Sequence, residues 1–71
     1  MEYPKIIKLD KRKDGLRVST IETPNNIFKY EVAISIVDNV WKIIIDTDDF
    51  NDAIVKHNVL LGLTKEDLEN L

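Results

Sequence analysis

The chain contains no cysteine and only one histidine among its 71 residues. Disulfide bonds and zinc sites built from cysteine are therefore excluded, and one histidine cannot form a His-rich metal site. A chain of this length buries only about 60% of its extended surface on folding, so its stability should be marginal. Self-association is then the remaining common aid to stability, although many domains of about 60 residues fold alone.

Motifs that carry catalytic chemistry are also missing. We find no nucleophile paired with a base and no set of metal ligands, so we expect a protein that is not an enzyme and has no cofactor. The N-terminal residues contain no apolar core of a signal peptide, and no stretch approaches the roughly 20 apolar residues of a membrane span. We therefore expect a soluble, cytoplasmic protein that does not bind a membrane. Frequent Ile, Lys, Asn and Asp with no Gln indicate an AT-rich genome, bacterial or phage.

Period-two alternation of apolar side chains indicates β-strands. Four strands are predicted, at residues 3–10, 16–23, 27–37 and 40–46. The third strand has the cleanest alternation. Gly15 suits a turn that needs a positive φ angle, and a two-residue loop at Asp38-Asn39 joins the last two strands into a hairpin.

After Asp46 the apolar spacing changes from two to about 3.6 residues, which predicts a helix over residues 48–61. Thr47 or Asp48 is expected as its N-cap, and Gly62 as the residue that follows it. Thr64 then begins a second, short helix over residues 65–70 with a pattern typical of a capping box.

These elements predict an α+β fold in a single domain, residues 1–71: a four-stranded antiparallel β-meander followed by one amphipathic helix and a short C-terminal helix. In the expected register Leu9 lies opposite Leu16, Ile34 opposite Ile43, and Val32 opposite Ile45. The long helix then covers one apolar face of the sheet. That face is predicted to contain Ile7, Leu9, Leu16, Val18, Val32, Ile34, Ile36, Trp41, Ile43 and Ile45.

The opposite face of the predicted sheet is also apolar, and its residues are candidates for an interface. They are Ile6, Ile21, Ala33, Val37, Val40 and Ile44. One helix leaves this patch larger than a monomer usually exposes. The short helix could cover it, the sheet could curl, or another subunit could pack on it. We favour self-association as a homodimer, because a small chain gains from the added burial.

Charge is divided unevenly along the chain. Residues 1–30 carry seven Lys and Arg against four Asp and Glu, whereas residues 31–71 carry three Lys against nine Asp and Glu. The basic stretch could contact a nucleic-acid backbone through Lys8, Lys11, Arg12, Lys13 and Arg17. Two acids interrupt it and no aromatic residue interleaves with it, so a solvated hairpin tip, or a surface that meets acidic groups of a partner, is the favoured interpretation. The acidic half could alternatively mimic DNA.

Two polar features are interpreted as structural. Asp46, Asp48, Asp49 and Asp52 do not match a calcium-binding loop, because His57 stands where the final Glu ligand belongs. They are better explained as acids at a helix N-terminus. His57 itself has no partner typical of a catalytic site and is expected to be partly buried and hydrogen-bonded.

The function predicted from the sequence is protein–protein interaction. We expect a small non-enzymatic regulator, inhibitor or accessory protein that forms a homodimer. The alternatives are a nucleic-acid-associated protein that uses the basic hairpin, or an acidic DNA-mimic inhibitor.

Overall fold

The computed structural model describes residues 4–24, 27–37 and 39–71. Its elements are β1 (Lys5–Lys11), β2 (Arg17–Glu22), β3 (Tyr30–Ser35), β4 (Lys42–Thr47), α1 (Phe50–Leu61) and α2 (Lys65–Glu69). The strands form one antiparallel sheet in the order β1-β2-β3-β4, which confirms the predicted α+β meander. The predicted strand residue Tyr3 lies outside the described residues. Within the described ranges, neither helix has the length and apolar character needed to cross a membrane.

Tight turns reverse the chain direction between β1 and β2 and between β3 and β4. Gly15 has a φ of 91° in the β1–β2 turn, as the sequence predicts, and a side chain there would be strained. Asn39 has a φ of 66°, and the Val40 N–H donates to the Val37 carbonyl at 3.0 Å. Asn tolerates this left-handed conformation better than most residues, so it closes the β3–β4 turn. Asp38, the other predicted loop residue, lies outside the described residues.

The core lies between one face of the sheet and α1. Its buried members are Leu16, Val18, Tyr30, Val32, Ile34, Ala53, Leu60 and Leu68. The edge of the Tyr30 ring meets the Phe50 ring with centroids 5.6 Å apart, which anchors the first turn of α1 on the sheet. Because side chains alternate between the two faces along β2 and β3, these strands place one layer of apolar residues against the helix.

Both helices begin at side-chain caps. The Asp49 carboxylate accepts a hydrogen bond from the Asp52 N–H at 3.1 Å, so Asp49 is the N-cap of α1 and the prediction of Thr47 or Asp48 is wrong. Thr47 Oγ1 instead accepts from the Asp49 N–H at 3.0 Å, which holds the residue before the helix. Asp is preferred at this position because its carboxylate satisfies a free helix N–H and meets the positive end of the dipole.

The short helix α2 closes the end of the core. Thr64 and Asp67 form the reciprocal capping box that the sequence predicts. Leu68 is buried against the core, and the Arg12 guanidinium donates to the Leu63 carbonyl. This contact ties the β1–β2 turn to the segment between the two helices.

The predicted register of β1 on β2 is wrong. Leu9 lies opposite Ser19, not Leu16, and the register shifts between Ile6 and Lys8. Ile7 is the extra residue of a β-bulge and packs toward the core. Beyond this bulge Leu9 points away from α1. Because Ile6 and Ile7 are adjacent and both apolar, the alternation of the sequence does not show which of them faces the core. The hydrophobic pattern therefore could not locate the register shift.

A second bulge changes β4. Ile45 lies opposite Val32 as predicted, but Ile43 lies opposite Ala33 and Lys42 opposite Ile34. Ile44 is the extra residue, and it packs against the core. The prediction that Ile44 points away from the helix is therefore wrong, and so is the placement of Trp41 and Ile43 in the helix-covered layer. Three successive isoleucines place an apolar side chain on the core face in either register, so the apolar pattern of β4 did not determine the register.

The bulge in β4 predicts that substitutions of two neighbouring isoleucines change stability by very different amounts. Ile44→Ala should lower the free energy of unfolding by about 1–3 kcal/mol, because it removes partly buried core contacts. Ile43→Ala should change it by less than about 0.5 kcal/mol, because Ile43 is 53% exposed. Urea unfolding at low protein concentration measures both values. The reverse ranking would contradict the bulged register.

Candidate functional site

The face of the sheet that is turned away from α1 carries a shallow apolar groove, and we call this face the groove face. The groove has a volume of about 260 Å³ and is lined by Ile6, Leu9, Ser19, Ile21, Glu31, Ala33 and Trp41. Ile6 is 62% exposed and Leu9 52% exposed. A cluster of large apolar side chains on one surface is typical of an interaction site.

Three of the six predicted interface residues line this groove: Ile6, Ile21 and Ala33. Val37 and Val40 are exposed beside the β3–β4 turn, where they border a second depression of about 200 Å³ with Lys42. The sixth, Ile44, packs against the core. The predicted set is thus divided among the groove, a turn and the core.

Three groove-face residues were missed in the sequence because the two bulges moved them there. Leu9 and Trp41 line the groove, and Ile43 lies beside Ala33. The available signal was the excess of adjacent apolar residues in Ile6-Ile7 and Ile43–Ile45. A strand with adjacent apolar residues places apolar side chains on both faces of the sheet.

Opposite charges lie at the two ends of the groove face. At one end Arg17 lies directly opposite Lys11 in the neighbouring strand. The guanidinium carbon of Arg17 lies 5.3 Å from the centroid of the Trp41 ring, and its Nη2 donates to Ser35 Oγ at 3.4 Å. At the other end Glu31 lies directly opposite Asp46, as the sequence predicts. A cation over an indole ring is favourable, whereas two facing carboxylates repel each other.

The environment of Glu31 disfavours its charged form. Partial burial in the groove raises the pKa of the Glu31 carboxyl above its ordinary value, and the nearby negative charge of Asp46 raises it further. A carboxyl that already loses hydration in the free chain will lose more when another surface covers the groove.

Most cations of the basic stretch have partners within the chain. Lys8 Nζ donates to Asn58 Oδ1 at 2.8 Å and lies 3.9 Å from Asp10. Arg12 pairs with Asp14 and reaches the Leu63 carbonyl. Arg17 lies over Trp41 on the groove face.

The two remaining cations of that stretch, Lys11 and Lys13, are exposed. The five candidate nucleic-acid residues are thus spread over both faces and the tip of one hairpin. They do not form a single cationic stripe.

The acidic cluster serves the start of α1. Asp49 caps the helix, and Asp48 Oδ1 accepts from the Lys29 N–H at 2.9 Å, which ties this segment to the residues before β3. Among the described residues, no group of three or more His, Cys, Asp or Glu side chains is arranged to hold a metal ion.

His57 is hydrogen-bonded through both ring nitrogens, as predicted, but it is fully buried under the sheet rather than partly buried. Nε2 lies 2.7 Å from Asp10 Oδ2, and Nδ1 lies 2.8 Å from Thr20 Oγ1. A carboxylate oxygen accepts, so Nε2 donates to Asp10, and Nδ1 shares a second hydrogen bond with the Thr20 hydroxyl. The order of groups matches that of a catalytic relay, but Thr20 has no exposed surface that a substrate could contact.

Comparison of the chain with protein-family models, with curated proteins and with solved structures found no match.

The Asp10–His57–Thr20 chain should be a stabilising element. Thr20→Val keeps the shape of the side chain but leaves His57 Nδ1 without its partner in a dry environment, so the free energy of unfolding should fall by about 1–3 kcal/mol. Thermal and urea unfolding measure this loss. Ser19→Ala, at the neighbouring position on the other face, is the control and should have little effect. Equal stability of Thr20→Val and the natural protein would contradict the role of the hydrogen bond.

Glu31 should make stability depend on pH. Its folded-state pKa is raised, so its contribution is fully present below the unfolded-state value near 4.5 and is lost as pH rises through the higher folded-state value. The natural protein should therefore lose stability relative to Glu31→Gln as pH increases through this window. Urea unfolding of both proteins between about pH 4 and 7 tests the sign. A stability difference that stays flat or moves the other way would contradict the burial of this carboxyl.

Proposed function

We propose that this protein acts by binding other proteins through its groove face, and that two copies assemble into a homodimer on that face. The observation that carries the proposal is the apolar groove itself. One layer of helices covers one face of the sheet, while Ile6, Leu9, Trp41 and Ile43 stay substantially exposed on the other. The cytoplasm is the proposed location, in line with the composition.

The dimensions of the groove face support a weak, reversible association. Strands about 4.8 Å apart with a rise of about 3.3 Å per residue give a face of about 20 Å by 20 Å, or roughly 400 Å². Two such faces together bury roughly 800 Å², which is below the 1,200–2,000 Å² of a standard stable interface. Interfaces of this size are typical of weak, transient contacts, so we expect an association that forms and separates readily.

The side chains of the groove suit another protein surface better than a small ligand. The depression is open along one side of a sheet, whereas small-molecule sites are usually enclosed enough to bury most of the ligand. Trp41 and the isoleucines offer the large apolar contacts that dominate protein interfaces. Arg17 and Glu31 supply polar groups at the rim, as interfaces commonly have.

A matched pair of lysine substitutions tests the proposal. Ile43→Lys places a charge on the groove face in the middle of the edge strand β4, opposite Ala33, so it should weaken self-association at least about tenfold, since an ammonium group loses hydration in the interface without a partner. Val55→Lys is the control: Val55 is 61% exposed on α1, so its substitution should leave association unchanged. Sedimentation equilibrium from about 10 µM to 1 mM measures both.

Two results would overturn the proposed homodimer. One is a natural protein that stays monomeric up to millimolar concentration. The other is association that survives Ile43→Lys but is lost in Val55→Lys, which would place the interface on the helix. Gel-shift titration at two salt concentrations, run in parallel, tests the nucleic-acid alternative, because phosphate contacts weaken steeply with salt.

A further inference from the structure

The smallest side chains of the groove face lie at its centre. Ser19 and Ala33 are opposite each other in the two central strands, near the middle of each strand. In the same row, Leu9 flanks Ser19 and Ile43 flanks Ala33. The face is therefore low in the middle and high at its sides, and we call the space above Ser19 and Ala33 the central pocket.

Larger side chains also close the two ends of the central pocket. Ile21 and Glu31 form a facing pair at one end, and Trp41 lines the other end. The guanidinium of Arg17 lies over the Trp41 ring and helps to hold that wall in place. The whole groove has a volume of about 260 Å³. Since a cavity of about 150 Å³ accepts a benzene ring, the groove has room for one large side chain.

A second copy of this chain does not supply such a side chain when the two groove faces are centred on each other. The middle of one face then lies on the middle of the other, so the two pockets meet and both stay empty. The small area of this contact, roughly 800 Å² in total, also makes it easy to displace. The central pocket therefore suits a different protein, one with a side chain that protrudes from its surface.

The charges beside the central pocket favour a basic partner. Glu31 and Asp46 lie directly opposite each other, and in the described part of the chain neither carboxylate forms a salt bridge. Burial and the negative charge of Asp46 raise the pKa of the Glu31 carboxyl. A cation placed between the two carboxylates would relieve their repulsion.

The central pocket and this acidic pair are close enough for one short segment to contact both. They are two residues apart along the strands, about 6.6 Å, and one strand spacing apart across the sheet, about 4.8 Å. The direct separation is then roughly 8 Å. Side chains on the same face of an extended segment are also about 6.6 Å apart, and the long stem of Lys or Arg spans the remainder.

We propose that the central pocket binds an extended segment of another protein, with one large apolar side chain in the pocket and a Lys or Arg two residues away between Glu31 and Asp46. This inference rests on the proposed function of the groove face and adds the chemistry of the partner. The partner and the homodimer use the same face, so they compete for it.

Two peptides that differ in one charge test the basic part of this proposal: acetyl-Phe-Gly-Lys-amide and acetyl-Phe-Gly-Glu-amide. In low salt the lysine peptide should bind the full chain roughly fivefold more tightly, because the glutamate peptide meets repulsion where the lysine peptide meets attraction. NMR titration measures both affinities, with shifts expected at Ala33 and Trp41 and none at Val59 on α1. Added salt should reduce the preference, since it screens exposed pairs.

Removal of the acidic pair should abolish this preference. Glu31→Gln with Asp46→Asn keeps the shapes of both side chains, so the two peptides should bind this variant with about equal affinity. Glu66→Gln with Glu69→Gln is the matched control, because it changes the net charge equally on α2. The control should keep the preference for the lysine peptide.

Ser19→Leu tests whether a side chain enters the central pocket. The leucine adds apolar surface to the groove face but occupies the space beside Ala33, so the lysine peptide should bind at least roughly tenfold more weakly. A non-specific apolar contact would instead strengthen with the added surface. Val55→Leu on the exposed side of α1 is the control and should leave binding unchanged. Circular dichroism melts establish that each variant is folded.

Three results would each overturn the inference: equal affinities of the natural protein for the two peptides, unchanged binding to Ser19→Leu, or no binding of the lysine peptide. Sedimentation equilibrium of Ser19→Leu identifies the occupant of the pocket. The proposed homodimer leaves the pocket empty, so this variant should dimerise at least as well as the natural protein. Loss of dimerisation would assign the pocket to a second copy and contradict the inference.

The outcomes separate this inference from the proposed function. If the lysine peptide does not bind but Ile43→Lys still breaks the dimer, the proposed function stands and only the inference fails. If the natural protein neither self-associates nor binds the peptide, both fail.

Discussion

A single layer of helices can cover only one face of a sheet, and the rest of this structure follows from that constraint. The two sides of the sheet are both rich in apolar side chains, but α1 and α2 pack on one side only. Antiparallel sheets commonly have one face on the core and one face toward water. Here the second face keeps Ile6, Leu9 and Ile43 at its surface, and this is the face on which we propose that another protein packs.

The bulges in β1 and β4 decide which residues belong to each face. Each inserts one extra residue, Ile7 or Ile44, and each turns the side chains beyond it to the opposite side. Without them Trp41 and Leu9 would lie under the helix, and the groove face would have fewer large side chains. The bulges thus add Ile7 and Ile44 to the core layer, and they place the large side chains of Leu9 and Trp41 in the groove.

The sequence predicted the order and type of every element, because strand alternation in β3 and the 3.6-residue period of α1 are strong patterns. It also predicted the Thr64 cap and the positive φ angle at Gly15, where local chemistry decides the outcome. It did not predict the register of the edge strands, since runs such as Ile43–Ile45 are equally apolar in either register. The candidate site inherited this error: the existence of a second apolar face was predictable, but half of its members were not.

The central claim is that the groove face, rather than the helical side, is where copies of this chain meet. A dilution series followed by NMR of the methyl and indole groups tests it most directly. The account predicts concentration-dependent shifts at Ile6, Leu9, Ile43 and Trp41, with Val55 and Val59 on α1 unchanged. Shifts confined to Val55 and Val59, or no dependence on concentration up to about 1 mM, would contradict it.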